Sequence, residues 1–269
     1  MKFVYNAEKE AKSRDILMMQ PTIAEAEELL KKDETDPYAW YVMGTALSIA
    51  NRIDEAIDAH CTGISYAPFY VPNYFGRGRR HNVKGEWKQG LADFILCSQL
   101  DPQNWTYWYY RATTENIHGM IEESIDDFKE CLNITRPEDQ YPLGDWLYTT
   151  LCSLGRYKEA EEILNRIADD AECETMDYGY KRCVQLYKGI VKPEEFINIP
   201  LFEEKMLKRP NRVELEITGM YWGLYWFWML KGDETKANEA LMELLKHDMF
   251  PTAFAYQKGT ALAKKKGLI

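Results

Sequence analysis

Hydrophobic and polar positions along this chain recur with helical spacing, and the helical pattern itself repeats. Pro68 and Pro102 lie 34 residues apart, each ending a segment of similar pattern. Shifting the chain by that period superposes Trp40, Tyr74 and Trp108, then Gly44, Gly78 and Ala112, then Asn51, Gly85 and Gly119. Ala56, Gly90 and Ser124 coincide next, followed by His60, Phe94 and Phe128. A fourth copy follows after a slip of two residues and carries Leu147, Tyr148, Leu151, Gly155, Ala160 and Leu164. A last copy carries Tyr221, Leu224, Tyr225, Trp228, Gly232, Ala237 and Leu241. The pattern predicts about fifteen helices, no sheet, and one continuous curved stack.

Each recurring residue has a physical task. The large aromatic and the small Gly or Ala of a first helix receive the second helix of the same repeat. Asn51, Gly85, Gly119, Gly155 and Gly232 fall where a left-handed turn is cheap. Ala56, Gly90, Ser124, Ala160 and Ala237 are small because two helices cross closely there. Prolines stop helix propagation between repeats.

This 34-residue helix–turn–helix rhythm resembles the tetratricopeptide repeat (TPR), and WYVMGTALSIANRIDEAIDAHCTGISYAP is its clearest copy. The resemblance implies an all-α, right-handed solenoid of stacked antiparallel helix pairs whose first helices line a concave groove. A single domain over 1–269 is expected: lead-in helices in 1–35, four repeats in 36–167, and a degenerate helix pair in 168–212. A further repeat in 213–250 and a polar closing helix in 251–269 complete it, since a repeat stack needs a polar end. The late segments are also loosely similar to bacterial TPR scaffold lipoproteins, although the chain lacks a lipoprotein signal and a lipid-carrying cysteine. NWTYWYYR additionally resembles the helical repeat of protein prenyltransferase α-subunits, which the glycine and alanine rhythm elsewhere fits poorly.

Family geometry sorts the aromatic residues of QNWTYWYYR. On the helical wheel Trp108 shares an arc with Arg111, Ala112 and Glu115 that faces the partner helix, so Trp108 is expected in the core. Tyr107 and Tyr110 point toward the neighbouring repeat, and Trp105 sits at the border. Tyr109, Thr113 and Asn116 form a separate arc that in the family faces the groove. Equivalent positions give Tyr41, Thr45 and Ser48; Phe75, Arg79 and Asn82; Asp145, Thr149 and Cys152; and Trp222, Trp226 and Met229. Such a wall suits a peptide or protein segment held by apolar anchors and hydrogen bonds. The carboxylate-gripping clamp of chaperone-binding members is missing, because the matching slots hold Tyr41, Thr45, Gly76, Thr106 and Tyr110.

Charge and composition narrow the alternatives. A net charge of −10 argues against nucleic acid as a partner, and 46% hydrophobic residues indicate a folded chain. The longest apolar run, MYWGLYWFWML, is short for a bilayer span, and the N-terminus shows no signal-peptide pattern. The six cysteines form no CxxC pair, so free thiols in a reducing cytoplasm are expected.

Within GRGRRH, Arg77 takes a core slot, as Arg111 does one repeat later. The second helices answer with Asp93 and Asp127, so structural ion pairs Arg77–Asp93 and Arg111–Asp127 are expected. Glu115 could share the charge of Arg111. Where the first-helix slot is apolar (Met43, Leu147, Leu224), its partner is apolar too (Ala59, Ile163, Ala240). The chemistry expected is therefore binding, with no catalytic residue, metal or cofactor. One alternative is an enzyme or enzyme subunit using the polar seam of the second and third repeats, where His60, His81, Glu115 and His118 could converge. Another is a structural protein that self-associates, as a homodimer, through the aromatic helix 221–228.

Overall fold

The computed structural model describes residues 21–173, 177–201, 212–249 and 253–269. Among these residues all regular structure is helical, with no strand. The lead-in helix expected at NAEKEAKSRDILMM lies outside them, as does the FEEKMLK half of the degenerate pair. The helices are α1 (Ile23–Lys32), α2 (Pro37–Ile49), α3 (Ile53–Tyr66), α4 (Val71–Val83), α5 (Trp87–Leu100), α6 (Trp105–Ile117) and α7 (Ile121–Ile134). They continue with α8 (Tyr141–Ser153), α9 (Tyr157–Arg166), α10 (Tyr178–Tyr187), α11 (Pro193–Phe196), α12 (Arg212–Leu230), α13 (Glu234–Leu244) and α14 (Phe254–Lys266). A single 3-10 turn, Pro137–Asp139, precedes α8. That turn lies where the repeat period slips. The chain forms two compact units, Met1–Thr114 and Glu115–Ile269.

The sequence starts and stops these helices by ordinary means. Thr22 and Glu25 make a reciprocal capping box on α1, with the Glu25 amide donating to Thr22 Oγ1 at 3.2 Å and the Thr22 amide to Glu25 Oε2 at 2.7 Å. Asp36 caps α2 by accepting from the Tyr38 amide at 3.0 Å, ahead of Pro37 in the first turn. Between paired helices the backbone turns through a left-handed residue: Asn51 at φ 58°, Gly85 at 78°, Gly119 at 85°, Gly155 at 73° and Gly232 at 74°. Each turn is closed by an amide one residue beyond reaching back five positions, as Glu86 does to the His81 carbonyl at 2.9 Å and Arg156 to Leu151 at 2.9 Å. Gly189, at φ 71°, makes the same turn after α10, with the Ile190 amide on the Gln185 carbonyl at 2.9 Å. The degenerate segment thus keeps the turn of the regular repeats.

In the first unit α2 packs on α3 and α4 on α5, and the first helices α2 and α4 also touch each other. Gly78 and Gly90 set the α4–α5 crossing, since a methyl on Gly90 would stand 2.9 Å from the Gly78 carbonyl oxygen. Val71, Phe75, Phe94, Cys97 and Tyr107 form its central cluster, with Tyr74, Leu100 and Tyr110 packed against it. Tyr107 and Tyr110 therefore pack on the preceding repeat.

Trp108 differs from expectation: it is half-buried rather than core. Its indole Nε1 donates to the Pro102 carbonyl at 3.0 Å. Trp40 Nε1 donates likewise to Glu34 at 2.7 Å, and the Tyr74 hydroxyl to Pro68 at 3.0 Å. At this position an aromatic with a polar tip ties the helix start to the loop six residues earlier, which keeps that tip near the surface.

In the second unit α8 packs on α9 and α10, and α12 on α13, α10, α14 and α8. One cluster joins Cys183, Leu186, Phe196, Val213, Ile217 and Met220. Another joins Trp222, Tyr225, Ala237, Ala240, Leu241, Leu244 and Ala263. Trp222 and Tyr225, two rings of the helix expected to feed a dimer contact, are thus packed inside the unit, while Tyr221, Trp226 and Trp228 stay half-buried. Trp228 also carries Lys236 over its face at 4.2 Å, and Tyr221 stacks on His247 at 5.5 Å.

Candidate functional site

Most of the residues expected along the groove are buried. Tyr41, Thr45, Phe75, Thr113, Asn116, Thr149 and Trp222 fall in this class, which leaves Arg79, Asn82, Tyr109 and Trp226 half-exposed. The buried hydroxyls turn inward on their own helices. Thr45 Oγ1 donates to the Tyr41 carbonyl at 2.9 Å, Thr113 to Tyr109 at 2.8 Å and Thr149 to Asp145 at 2.8 Å. Each hydroxyl is thus satisfied by the carbonyl one turn earlier on its own helix.

In the first unit the first-helix face is built from α2, α4 and the start of α6. Phase along α4 places Phe75 and Arg79 one turn apart. The Phe75 ring meets Tyr107 at 5.2 Å and Tyr110 edge-on at 5.0 Å. The Arg79 guanidinium lies over Phe75 at 5.6 Å and over Tyr110 at 5.4 Å. Tyr109 stands edge-on to Tyr110 at 5.8 Å and to Trp105 at 6.1 Å. Asn82 Nδ2 donates to Thr114 Oγ1 at 2.9 Å, linking α4 to α6. Arg80 shares this region; burial, then the neighbouring Arg79 charge, lower its guanidinium to about 10, while Tyr110 and Tyr41 act in the opposite sense.

Arg77, two residues before Arg79, points into the repeat. Its Nε and Nη2 grip Asp93 at 3.0 and 2.7 Å in a two-point pair, with Asp93 buried. Arg111 lies over the Trp108 ring at 5.4 Å, and Asp127 is buried in the second unit.

The two histidines of the first unit have separate surroundings. His60 is buried, with Nδ1 3.1 Å from Asn73 Oδ1, and Asn73 Nδ2 donates to the Pro37 carbonyl at 2.9 Å. Its ring fills the slot between Gly44 and Gly76, where a methyl on either would come within 2.5 Å of it. Burial pushes its imidazole down to about 4, against the hydrogen bond to Asn73 Oδ1 and helped by the charges of Arg80, Arg77 and Arg79. His81 Nδ1 sits 2.7 Å from Glu86 Oε2 in the α4–α5 turn, and His118 is exposed in the second unit. Among the described residues no three His, Cys, Asp or Glu side chains are placed to hold a metal ion.

In the second unit the equivalent face is covered from within. Asn116 Nδ2 reaches Ser124 Oγ at 2.9 Å and Thr150 Oγ1 at 3.1 Å, and the Lys258 ammonium of α14 donates to Asn116 Oδ1. Lys258 also lies over Trp146 at 5.3 Å, and Phe254 meets Trp146 edge-on at 5.9 Å. Burial lowers the Lys258 ammonium to about 8. The helix expected to close the stack therefore reaches back onto α8 and the end of α6. Asp145 of α8 is buried and accepts from the Tyr187 hydroxyl at 2.7 Å, while Tyr187 stacks on Tyr148 at 4.4 Å. Burial raises the Asp145 carboxyl to about 7, the Tyr187 hydrogen bond working the other way.

Sequence reasoning placed Arg79 on this face but gave no role to Arg80, Tyr187 or Lys258. For Arg80 the available signal was the pair of consecutive arginines in GRGRRH. For Lys258 there was none, because its partner Asn116 is 142 residues distant. The six cysteines are free, with Cys97, Cys131, Cys152 and Cys183 buried, Cys173 half-buried and Cys61 exposed. Among the described residues no helix is long and apolar enough to cross a membrane.

Comparison with known proteins agrees with this architecture. No family model and no curated protein matches the chain. Among solved structures, the APC/C hetero-tetramer Cut9–Hcn1 contains a chain 11% identical that matches with a TM-score of 0.56, over 93% of this chain and 47% of that one. YrrB, described as a TPR protein with an unusual peptide-binding site, is 12% identical over 90% of this chain and 97% of its own, with a TM-score of 0.48. MamA from AMB-1 is 18% identical over 54% of this chain and 78% of its own, with a TM-score of 0.46. The fold is that of a TPR-like helical solenoid.

Proposed function

We propose that this chain is a non-enzymatic interaction scaffold that holds a peptide or protein segment against the first helices of its first unit. The observation that carries this reading is the surface made by Arg79, Asn82 and Tyr109, which stays half-exposed over a floor of buried rings. Guanidinium, amide and phenol groups on a rigid aromatic floor are what a segment with mixed polar and apolar side chains requires. In the second unit α14 lies against the matching positions Asn116 and Trp146, so the first unit is the better candidate. The free thiols suit the reducing cytoplasm expected from the sequence.

The test is affinity capture from the native lysate with wild-type chain, Tyr109→Ala and Trp226→Ala, all matched for folding by circular dichroism. A protein retained by wild type and Trp226→Ala but lost from Tyr109→Ala supports the reading. Identical capture by all three overturns it.

A further inference from the structure

We propose that the guanidinium groups of Arg79 and Arg80, set among the rings of Phe75, Tyr110 and Tyr41, bind the carboxylate side chains of an acidic peptide. The inference rests on the peptide-binding reading above and names the chemistry of the partner. Its ground is a mismatch of charge. Acidic residues outnumber basic ones in this chain, 43 to 33, and most cations with a defined neighbour find a carboxylate. Arg77 has Asp93, Arg52 has Glu55, Lys84 has Asp54 and Glu86, and Arg156 has Glu122 and Glu159. Arg79 and Arg80 stand together, and among the described residues neither makes an ion pair. Arg79 lies over the aromatic faces of Phe75 and Tyr110. The groups acting on Arg80 are Arg79, Tyr110 and Tyr41.

Two adjacent guanidiniums repel, and partial burial removes the water that would screen them. A carboxylate placed between them relieves the repulsion and accepts hydrogen bonds from planar donors, of which Arg79 is already held over the Phe75 and Tyr110 rings. The chain's overall charge of −10 selects the form of the anion. A long polyanion such as nucleic acid, or an anionic membrane, meets repulsion over the rest of the surface, whereas a short acidic segment meets only the local positive field. The neighbouring Tyr109 and Trp105 offer rings for an aromatic residue next to the acid.

The test uses the full chain and fluorescence anisotropy at physiological salt. The probes are a short fluorescein-labelled peptide alternating Glu and Tyr, and its twin with Gln for Glu. Wild type is expected to bind the Glu peptide roughly tenfold or more tightly than the Gln peptide, since hydrogen bonds between charged groups are the stronger kind. Arg79→Gln/Arg80→Gln should abolish that preference. Lys31→Gln/Lys32→Gln, with the same change of charge on exposed positions of α1, should keep it. Equal binding of the two peptides by wild type, or a preference intact in the double arginine variant, overturns the inference. The wild-type comparison decides the matter even if the variant fails to fold. Equal binding that Tyr109→Ala abolishes would overturn charge recognition and leave the peptide-binding face standing. Tighter association with phosphatidylserine vesicles than with the Glu peptide would overturn the peptide assignment.

Discussion

Two repeats of this chain, one in each unit, solve the same packing problem with opposite chemistry. In the first, the slot where a first helix meets its second holds Arg77 against Asp93. In the second, the corresponding slot holds Leu147 and Ile163, both buried. The first unit also buries a neutral imidazole, His60, and the second a raised carboxyl, Asp145. The difference teaches that the repeat fixes which positions face each other, not what they are made of. A charged pair serves as well as an apolar one, provided both halves are present.

The sharpest way to break that comparison is to remove one half of each pair. Asp93→Ala strands the Arg77 guanidinium and should cost about 3–5 kcal/mol. Leu147→Ala opens a cavity and should cost about 2–5 kcal/mol. The two differ in rescue. Arg77→Met/Asp93→Leu should recover most of the loss, because replacing a whole buried pair by apolar groups is close to neutral. Urea denaturation of the full chain, followed by circular dichroism, measures all three. If the double variant is as unstable as Asp93→Ala, the pair is doing more than filling its slot.

A smaller effect sharpens the contrast through pH. His60 has its folded value lowered to about 4, so its stabilising contribution is present above its ordinary value and is lost as pH falls toward the folded one. Asp145 has its folded value raised to about 7, so its contribution is present at acid pH, below the ordinary carboxylate value, and is lost as pH rises through the folded one. Between roughly pH 5 and pH 8 each should change local stability by about 2 kcal/mol, in opposite senses. Hydrogen exchange read by mass spectrometry on the intact chain resolves the two. Peptides from α3 and α4 should gain protection on going to the higher pH, and peptides from α8 and α10 should lose it. His60→Gln should flatten the first response and Asp145→Asn the second. A common direction in both units would mean that other groups dominate.

The comparison also explains what could be read in the sequence. The helices were legible because each repeat marks its turn with Asn or Gly and its crossing with a small residue, and both are local constraints. The Arg77–Asp93 geometry was equally accessible, because both partners lie within one repeat. Solvent exposure was not. A helical wheel puts Tyr41, Phe75 and Asn116 on one face, but whether that face is open depends on contact between neighbouring first helices and on α14. Arg80 was missed for a related reason, since lacking a carboxylate neighbour is a property of the folded surroundings. Trp108 was placed too deep because the wheel registers ring size and not the indole N–H that needs the Pro102 carbonyl.

The smallest expected effect bears on where the repeat ends. Gly189 turns the degenerate segment with φ 71°, and nothing lies within 4 Å of the position a methyl would take there. The cost of Gly189→Ala is then backbone strain alone, roughly 1–2 kcal/mol for a non-glycine residue held left-handed. Asn51 occupies the matching turn of the first unit at φ 58°, where asparagine is already tolerated. Asn51→Gly should therefore change stability by only a few tenths of a kcal/mol. Thermal melts of the two variants, each against wild type, measure the difference. A clear loss for Gly189→Ala means that α10 is held in the same turn as the regular repeats and that the stack continues through the segment where its motif fades. No loss means that this turn opens readily, and that α10 relies on Cys183 and Leu186 in the hydrophobic cluster with α12 rather than on its link to the next helix.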